Sequence, residues 1–261
     1  MPARLTARRS KEIASLGRKK HRDRLGQMLV EGVRAVEAAQ AARAPLLDLV
    51  VSETAQHDPR VQAIMAAAEV PVYIVPGTDM ARLSDVQTSQ GVLAVACCRL
   101  VDEAALATQE TVLVFDGVQD PGNVGTVIRT AAWFGVGAVL AGPGTADLFH
   151  PKVVRAAMGG LWDVHLAQST DLMPALAHLR ARGFTGYGAD LHGTPVQDWM
   201  PQGPSFLVLG SEAHGLDGRL EAVLAERVAI PAAAGRAGVE SLNVAVAAGI
   251  LVHAWRGKRR R

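Results

Sequence analysis

FDGVQDPGNVGTVIRTAAWFGV, residues 115–136, is the stretch on which the reading of this chain turns. It continues the apolar run Thr111, Val112, Leu113, Val114 and Phe115, short and uninterrupted like a strand buried on both faces. Asp116, Gly117, Asp120, Pro121, Gly122 and Asn123 stop that strand. Apolar residues then recur at helical spacing through Val124, Ile128, Ala131, Ala132 and Gly135. Polar groups therefore collect at a strand's carboxyl end, where open α/β sheets bind ligands, with Asn123 and Arg129 in the first two turns of the next helix. Taken alone, the stretch is equally compatible with Asp120 and Asn123 capping a helix and Arg129 being a solvated surface charge.

Two later stretches weigh toward a site. Residues 206–216, FLVLGSEAHGL, read as a buried strand ending in a glycine-containing loop that carries Glu212 and His214. Residues 228–246, VAIPAAAGRAGVESLNVAV, read as a short strand, a loop of small residues, and a helix opened by Glu240, Ser241 and Asn243. Glycine and alanine in such loops let backbone groups come close to a ligand.

Half of the 261 residues are apolar, enough for a large core. The longest apolar run near the C-terminus, 244–252, is far shorter than the roughly 20 residues needed to span a bilayer. The basic N-terminus lacks a following apolar segment, so no signal peptide is expected. Cys97 and Cys98 are neighbours pointing to opposite faces of a strand, which argues against a disulfide framework or a metal cluster and fits a reducing cytoplasm.

The net charge of +2 hides an asymmetry: residues 1–24 carry +7, the last six residues +5, and the body between them −10. Basic ends on an acidic body suggest arms that hold a polyanion, nucleic acid foremost, although basic tails also serve solubility.

In order, the chain reads as a basic arm over 1–24, helical in part, and a small α/β domain over 25–101. That domain has a helix over 27–42, strands over 46–51, 70–75 and 91–96, and a helix over 59–68. Residues 102–110, acidic and alanine-rich, read as a linker. A second α/β domain, 111–261, alternates strands at 137–141, 164–166 and 184–189 with helices at 150–160 and 171–182, and ends in a basic tail.

These residues resemble the SpoU/TrmH family of RNA ribose 2'-O-methyltransferases, within the SPOUT superfamily. The resemblance lies in three ordered motifs: DPGNVGTVIRTAAWFG at 120–135, LVLGSEAHGL at 207–216 and IPAAAGRAGVESLNVAVA at 230–247. KVVRAAMGGLW at 152–162 is similar to a further family segment. LVEGVRAVEAA at 29–39 and SQGVLAVA at 89–96 resemble the RNA substrate-binding domain often joined to the family. The resemblance implies a trefoil-knotted C-terminal domain, S-adenosylmethionine as methyl donor and a homodimer. General topological rules alone would reject the knot. It also implies a cofactor held against backbone near Leu209, Gly210, Ile230 and Leu242, with Asn123, Arg129, Glu212, Ser241 and Asn243 on the reactive side. The loop 231–240 is a few residues longer than the usual family form and offers Arg236 as an RNA contact.

A ribose 2'-hydroxyl is barely ionised at neutral pH, so it must be positioned and its developing alkoxide stabilised; the sulfonium donor is already activated, and no metal is called for. The family proposal makes Arg129 the base. A guanidinium has no acceptor and stays protonated, which favours a clamp on phosphate and oxyanion instead. Glu212 would orient Asn123 or Arg129, or else be a helix-start carboxylate. Ser241 and Asn243 would contact ligand or cap the last helix. His214 reads as structural or solvent-facing. Trp162, Trp199 and Trp255 read as core or dimer interface, and Asp190 with His192 only superficially resembles an acid/base pair. Structured ribosomal RNA is the favoured substrate, transfer RNA the next. A non-catalytic RNA-binding or ribosome-assembly protein is the competing function.

Overall fold

In a computed structural model the described residues are 4–233, 238 and 240–257. They form two compact units: residues 1–99 with 147–162, and residues 100–146 with 163–261.

The first unit begins with α1 (Ala7–Ser15), whose Thr6 hydroxyl accepts from the N–H of Arg9, and α2 (Lys19–Leu25). Gly26, at φ +63°, ends α2 with a left-handed cap. There follow β1 (Gln27–Glu31), α3 (Val33–Ala41), β2 (Leu46–Ser52), α4 (Pro59–Ala66), β3 (Val72–Val75), α5 (Gly77–Leu83) and β4 (Val92–Cys97). The sheet order is β1-β4-β2-β3, antiparallel except for the β2/β3 pair.

The single helix expected over 27–42 is corrected. Met28, Leu29 and Val30 pair with Ala96, Val95 and Ala94 of β4, and Gly32 at φ +101° breaks the chain before α3 starts. Of the basic arm expected over 1–24, helical in part, residues 4–24 are described, and they are packed into the unit through two helices. Ile13 and Leu16 are fully buried in one core with Leu29, Val50, Met80 and Val95. Arg9 donates to Asp48 (3.0 Å) and Gln27 (3.0 Å), while the buried Arg22 donates to the carbonyl of Leu16 (2.8 Å) and pairs with Asp147. Deleting 1–24 would therefore remove core residues together with charge.

The second unit holds β5 (Thr111–Asp116), α6 (Pro121–Trp133) and β6 (Ala138–Ala141). The chain next runs through α7 (Pro151–Ala157), which packs in the first unit: Arg155 faces Asp85 (3.2 Å) and Glu31 (3.6 Å), and a Cβ on Gly159 would fall 2.6 Å from that of Ala38. The segment 152–162 thus leaves the unit in which the three motifs stand, and the boundaries read as 25–101 and 111–261 do not match the contacts. It re-enters at β7 (His165–Gln168) and continues through α8 (Leu172–Ala181), β8 (Thr185–Pro195), β9 (Ser205–Gly210), β10 (Glu226–Ala229) and α9 (Val244–Gly257). The supposed linker is also part of this unit. Leu106, in the short 3₁₀ turn Glu103–Thr108, is fully buried among Val112, Leu140, Leu176 and Val208.

All strand pairs of the second unit are parallel, in the order β10-β8-β9-β5-β6-β7. Helices cover such a sheet on both faces, which is why its strands are continuous apolar runs. β8 is longer than expected, and its register jumps: Gly188 faces Arg227, and Thr194 faces Val228. Residues 189–193 leave the ladder.

Candidate functional site

From β5 the chain steps through α6 to β6 on one side, whereas from β9 it travels to β10 on the other. The loops after β5 and β9 therefore depart in opposite directions, and the point where they part is where an open parallel sheet makes its crevice.

The first motif supplies α6. Asp120 caps it by accepting from the N–H of Asn123 (2.9 Å), and Pro121 occupies the first turn, where no N–H is needed. The second motif supplies the loop after β9, closed by reciprocal bonds between Ser211 and Gly215 (3.0 and 2.9 Å). Gly210 must be glycine, because a Cβ there would lie 2.4 Å from the Gly215 backbone. The Asp116 carboxylate at the end of β5 accepts from the N–H of Asp217 (2.6 Å) and so ties this loop to β5. Burial pushes its carboxyl above the usual range, against the opposing pull of that hydrogen bond. From the third motif, Asn243 caps α9 by accepting from the N–H groups of Ala245 (2.9 Å) and Val246 (3.4 Å).

Three of the five expected reactive residues meet. Asn123 Nδ2 donates to Glu212 Oε1 (2.6 Å), and Asn123 Oδ1 accepts from Asn243 Nδ2 (3.1 Å). The direction of this chain follows from the cap. Because Asn243 Oδ1 is committed to α9, its amide must donate, which makes Asn123 Oδ1 the acceptor and Nδ2 the donor to Glu212. Asn243 thus caps α9 and joins the polar cluster at once. The cluster leaves carboxylate lone pairs of Glu212 for a hydroxyl donor.

Arg129 and Ser241 are not in the cluster. Six residues separate Asn123 from Arg129, which turns the guanidinium to another face of α6, exposed and without an ion pair or hydrogen bond among the described residues. Ser241 is exposed and likewise unbonded among the described residues. His214 is exposed, as expected. Trp199 and Trp255 are fully buried in the core, Trp255 donating to Ser205 (3.0 Å). The aromatic residue that sequence reasoning passed over is Trp133, 83 % exposed at the end of α6.

The expected cofactor contacts are divided between the end of β9, the residue after β10 and the approach to α9. Leu209 is buried, and with Gly210 it pairs with Phe115 and Asp116 of β5. On the other side the ladder with β8 stops at Val208, so the departing residues 189–193 leave one edge of Leu209 and Gly210 without a strand partner. Ile230, just past β10, is half-buried, and Leu242 is 44 % exposed. Asp190, in the departing segment, is bound to Arg227 (2.6 Å) and accepts from the N–H of His192 (3.0 Å), so the two act as a structural turn rather than an acid/base pair. Arg236 lies outside the described residues, as do Lys258 to Arg261 of the basic tail.

Comparison with known proteins matches residues 110–253 to the SpoU rRNA Methylase family and residues 8–94 to an MRM3-like substrate binding domain. The chain is 35 % identical over 249 residues to the 23S rRNA (guanosine(2553)-2'-O)-methyltransferase RlmP of Bacillus subtilis, covering 95 % of each. A solved structure of a putative RNA methyltransferase of the TrmH family from Porphyromonas gingivalis superposes with a TM-score of 0.83 at 36 % identity, covering 99 % of this chain and all of that one. An AdoMet-bound rRNA methyltransferase from Sinorhizobium meliloti does so with a TM-score of 0.82 at 29 % identity, over 98 % and 97 % of the two chains. With the family pattern spanning more than half of the chain and the polar cluster built from its three motifs, this protein belongs to the SpoU rRNA methylase family.

Proposed function

We propose that this protein methylates a ribose 2'-hydroxyl in structured ribosomal RNA, with S-adenosylmethionine as donor. The observation that carries it is the Asn243–Asn123–Glu212 chain at the parting of β5 and β9, assembled from three motifs far apart in sequence. The residues present fit the donor. The free backbone edge of Leu209 and Gly210 suits the hydrogen-bonding rim of an adenine, and the apolar surfaces of Ile230 and Leu242 suit its faces. The donor supplies a methyl group on a positively charged sulfur.

Glu212, held by Asn123, accepts from the ribose hydroxyl and orients it for in-line attack. Arg129 binds the neighbouring phosphate and stabilises the charge developing on the hydroxyl oxygen. The proton leaves to that phosphate or to water, since the guanidinium cannot take it. Ser241, two residues before Asn243 on the approach to α9, contacts the bound ligand.

Arg129 serves this role in a homodimer. Arg129 and Trp133 stand four residues apart on one face of α6, and α9, which packs on α6, exposes Val246 (53 %) and Ile250 (38 %). The contact of the Phe134 and His253 rings (5.5 Å) and the bond from Arg256 to the carbonyl of Phe134 (3.1 Å) hold the two helices in register. An apolar face of this kind beside an unpaired cation supports a second copy that buries Trp133 and receives Arg129. The position of β9 between β8 and β5, with α9 returning onto α6, supports the knotted C-terminal topology characteristic of the superfamily. No helix among the described residues is long and apolar enough to cross a membrane, and we place the enzyme in the cytoplasm with its RNA.

Transfer of a labelled methyl group to total ribosomal and transfer RNA, compared between the native protein and Arg129→Ala and read by nuclease digestion and mass spectrometry, tests this. A ribose 2'-O-methyl mark in ribosomal RNA that the variant makes at least 100-fold more slowly is expected. A mark in transfer RNA alone would overturn the substrate, and RNA binding without donor binding would overturn the activity.

A further inference from the structure

The cations of the first 24 residues are sorted by the fold. Arg9 and Arg22 point inward to Asp48 and Asp147, and Lys19 pairs with Asp23 (3.0 Å) on the surface. Arg4, Arg8, Lys11, Arg18, Lys20 and Arg24 point outward, and among the described residues only Arg8 of these has a carboxylate, Glu12 (3.2 Å), which it shares with Arg9. Three cations, Arg8 and Lys11 from α1 and Arg24 from α2, line one groove of about 530 Å³ together with His21, the Glu12 carboxylate and the small Ala7 and Ser15. The Arg8 side chain is 91 % exposed, so its pair with Glu12 is weak and exchangeable.

From this we propose that the α1–α2 groove is a track for the sugar–phosphate backbone of RNA, the inward arginines fixing the helices and the outward cations neutralising phosphates. The proposal rests on the RNA substrate proposed above and names the face of the first unit that holds it. Chemistry selects the partner. None of the large exposed apolar side chains of the described residues lies on α1 or α2; the most N-terminal of them is Leu100. A membrane-surface helix needs an apolar face to insert, and a protein interface needs apolar or aromatic anchors, so a surface of cations over small residues suits a hydrated polyanion. Arginine and lysine on rigid helices fit phosphate contacts that set register without reading bases.

The test uses the full-length protein and deproteinised large-subunit ribosomal RNA. Binding is measured between about 0.05 and 0.5 M KCl for the native protein and for a triple variant, Arg8→Ala, Lys11→Ala and Arg24→Ala. A control triple removes the same charge from other exposed positions of the unit, Arg34→Ala, Arg60→Ala and Arg82→Ala. Each lost phosphate contact flattens the slope of log K against log salt by about 0.7–0.9. The groove triple is therefore expected to flatten it by about 2–3, to bind about 100-fold more weakly near 0.15 M salt, and to converge with the native protein toward 1 M. Equal slopes for the groove and control triples, or a loss that is the same at every salt concentration, would overturn the groove. Methyl transfer by the same samples separates this from the activity: a flattened slope with no transfer by the native protein sustains the groove and refutes the enzyme, while normal transfer with equal slopes does the reverse.

Discussion

The first unit and the second both hold polar side chains in fixed geometry, but they do so at different depths. Arg22 is 2 % exposed and is saturated by the carbonyl of Leu16 and the carboxylate of Asp147; Arg9 is likewise consumed by Asp48, Glu12 and Gln27. Asn123 is half-buried, Glu212 and Asn243 are exposed, and the three bond to one another. A buried charge removed from its partner leaves an unpaid desolvation penalty, so the first set serves the fold. A solvent-facing amide–carboxylate chain contributes little to stability and keeps acceptors free for a ligand, as the chemistry proposed above requires.

That contrast breaks most readily at Arg22. Replacing it with alanine strands Asp147 in a half-closed environment and opens a void beneath Leu16, so the variant is expected to lose about 3–5 kcal/mol of stability in urea denaturation. A loss below about 1 kcal/mol would mean that the pair is as dispensable as a surface bridge.

A smaller effect is expected at His150. Its Nδ1 accepts from the N–H of Lys152 (3.1 Å) and caps α7, and burial and the nearby Arg22 lower its pKa below the ordinary histidine value. Protonation would destroy the acceptor. In the acidic range, below the ordinary histidine pKa, the unfolded chain binds this proton more readily than the folded one, so stability falls as pH drops through that window. His150→Asn keeps a capping oxygen without the titration, and it should flatten the acid limb of the melting temperature while leaving neutral pH nearly unchanged. Parallel acid limbs in the two proteins would remove His150 from the account.

What could be read in the sequence follows the same division between local and distant causes. The β5–α6 junction was legible because a strand-length apolar run, an Asp N-cap and a first-turn proline all lie within 23 residues of one another. The cluster itself was legible through the family pattern, which placed Asn123, Glu212 and Asn243 together although no spacing rule could. β1 was not, because Leu29, Val33 and Val36 also fit a helical period; the strand is decided by pairing with β4, some 65 residues on, and by Gly32 at φ +101°. The N-terminal cations were legible as charge but not as sorted charge, since Asp48 and Asp147 become their partners only in the folded unit. Trp133 stands nine residues from Val124, half a turn away from the buried stripe of α6 and on the side of Arg129, so its helical position marked it as outward-facing; the structure adds that nothing among the described residues covers it.

The measurement that bears most directly on the central claim is the pair of methyl-transfer rate and melting temperature for Asn123→Ala. Removing this side chain cuts Glu212 loose from Asn243 without touching the core. Asn123→Ala is expected to lose at least 100-fold in ribose methylation, with a melting temperature within about 2 °C of the native protein. Transfer within tenfold of native, or a melting temperature lowered as far as by Arg22→Ala, would contradict it and make the cluster a structural feature.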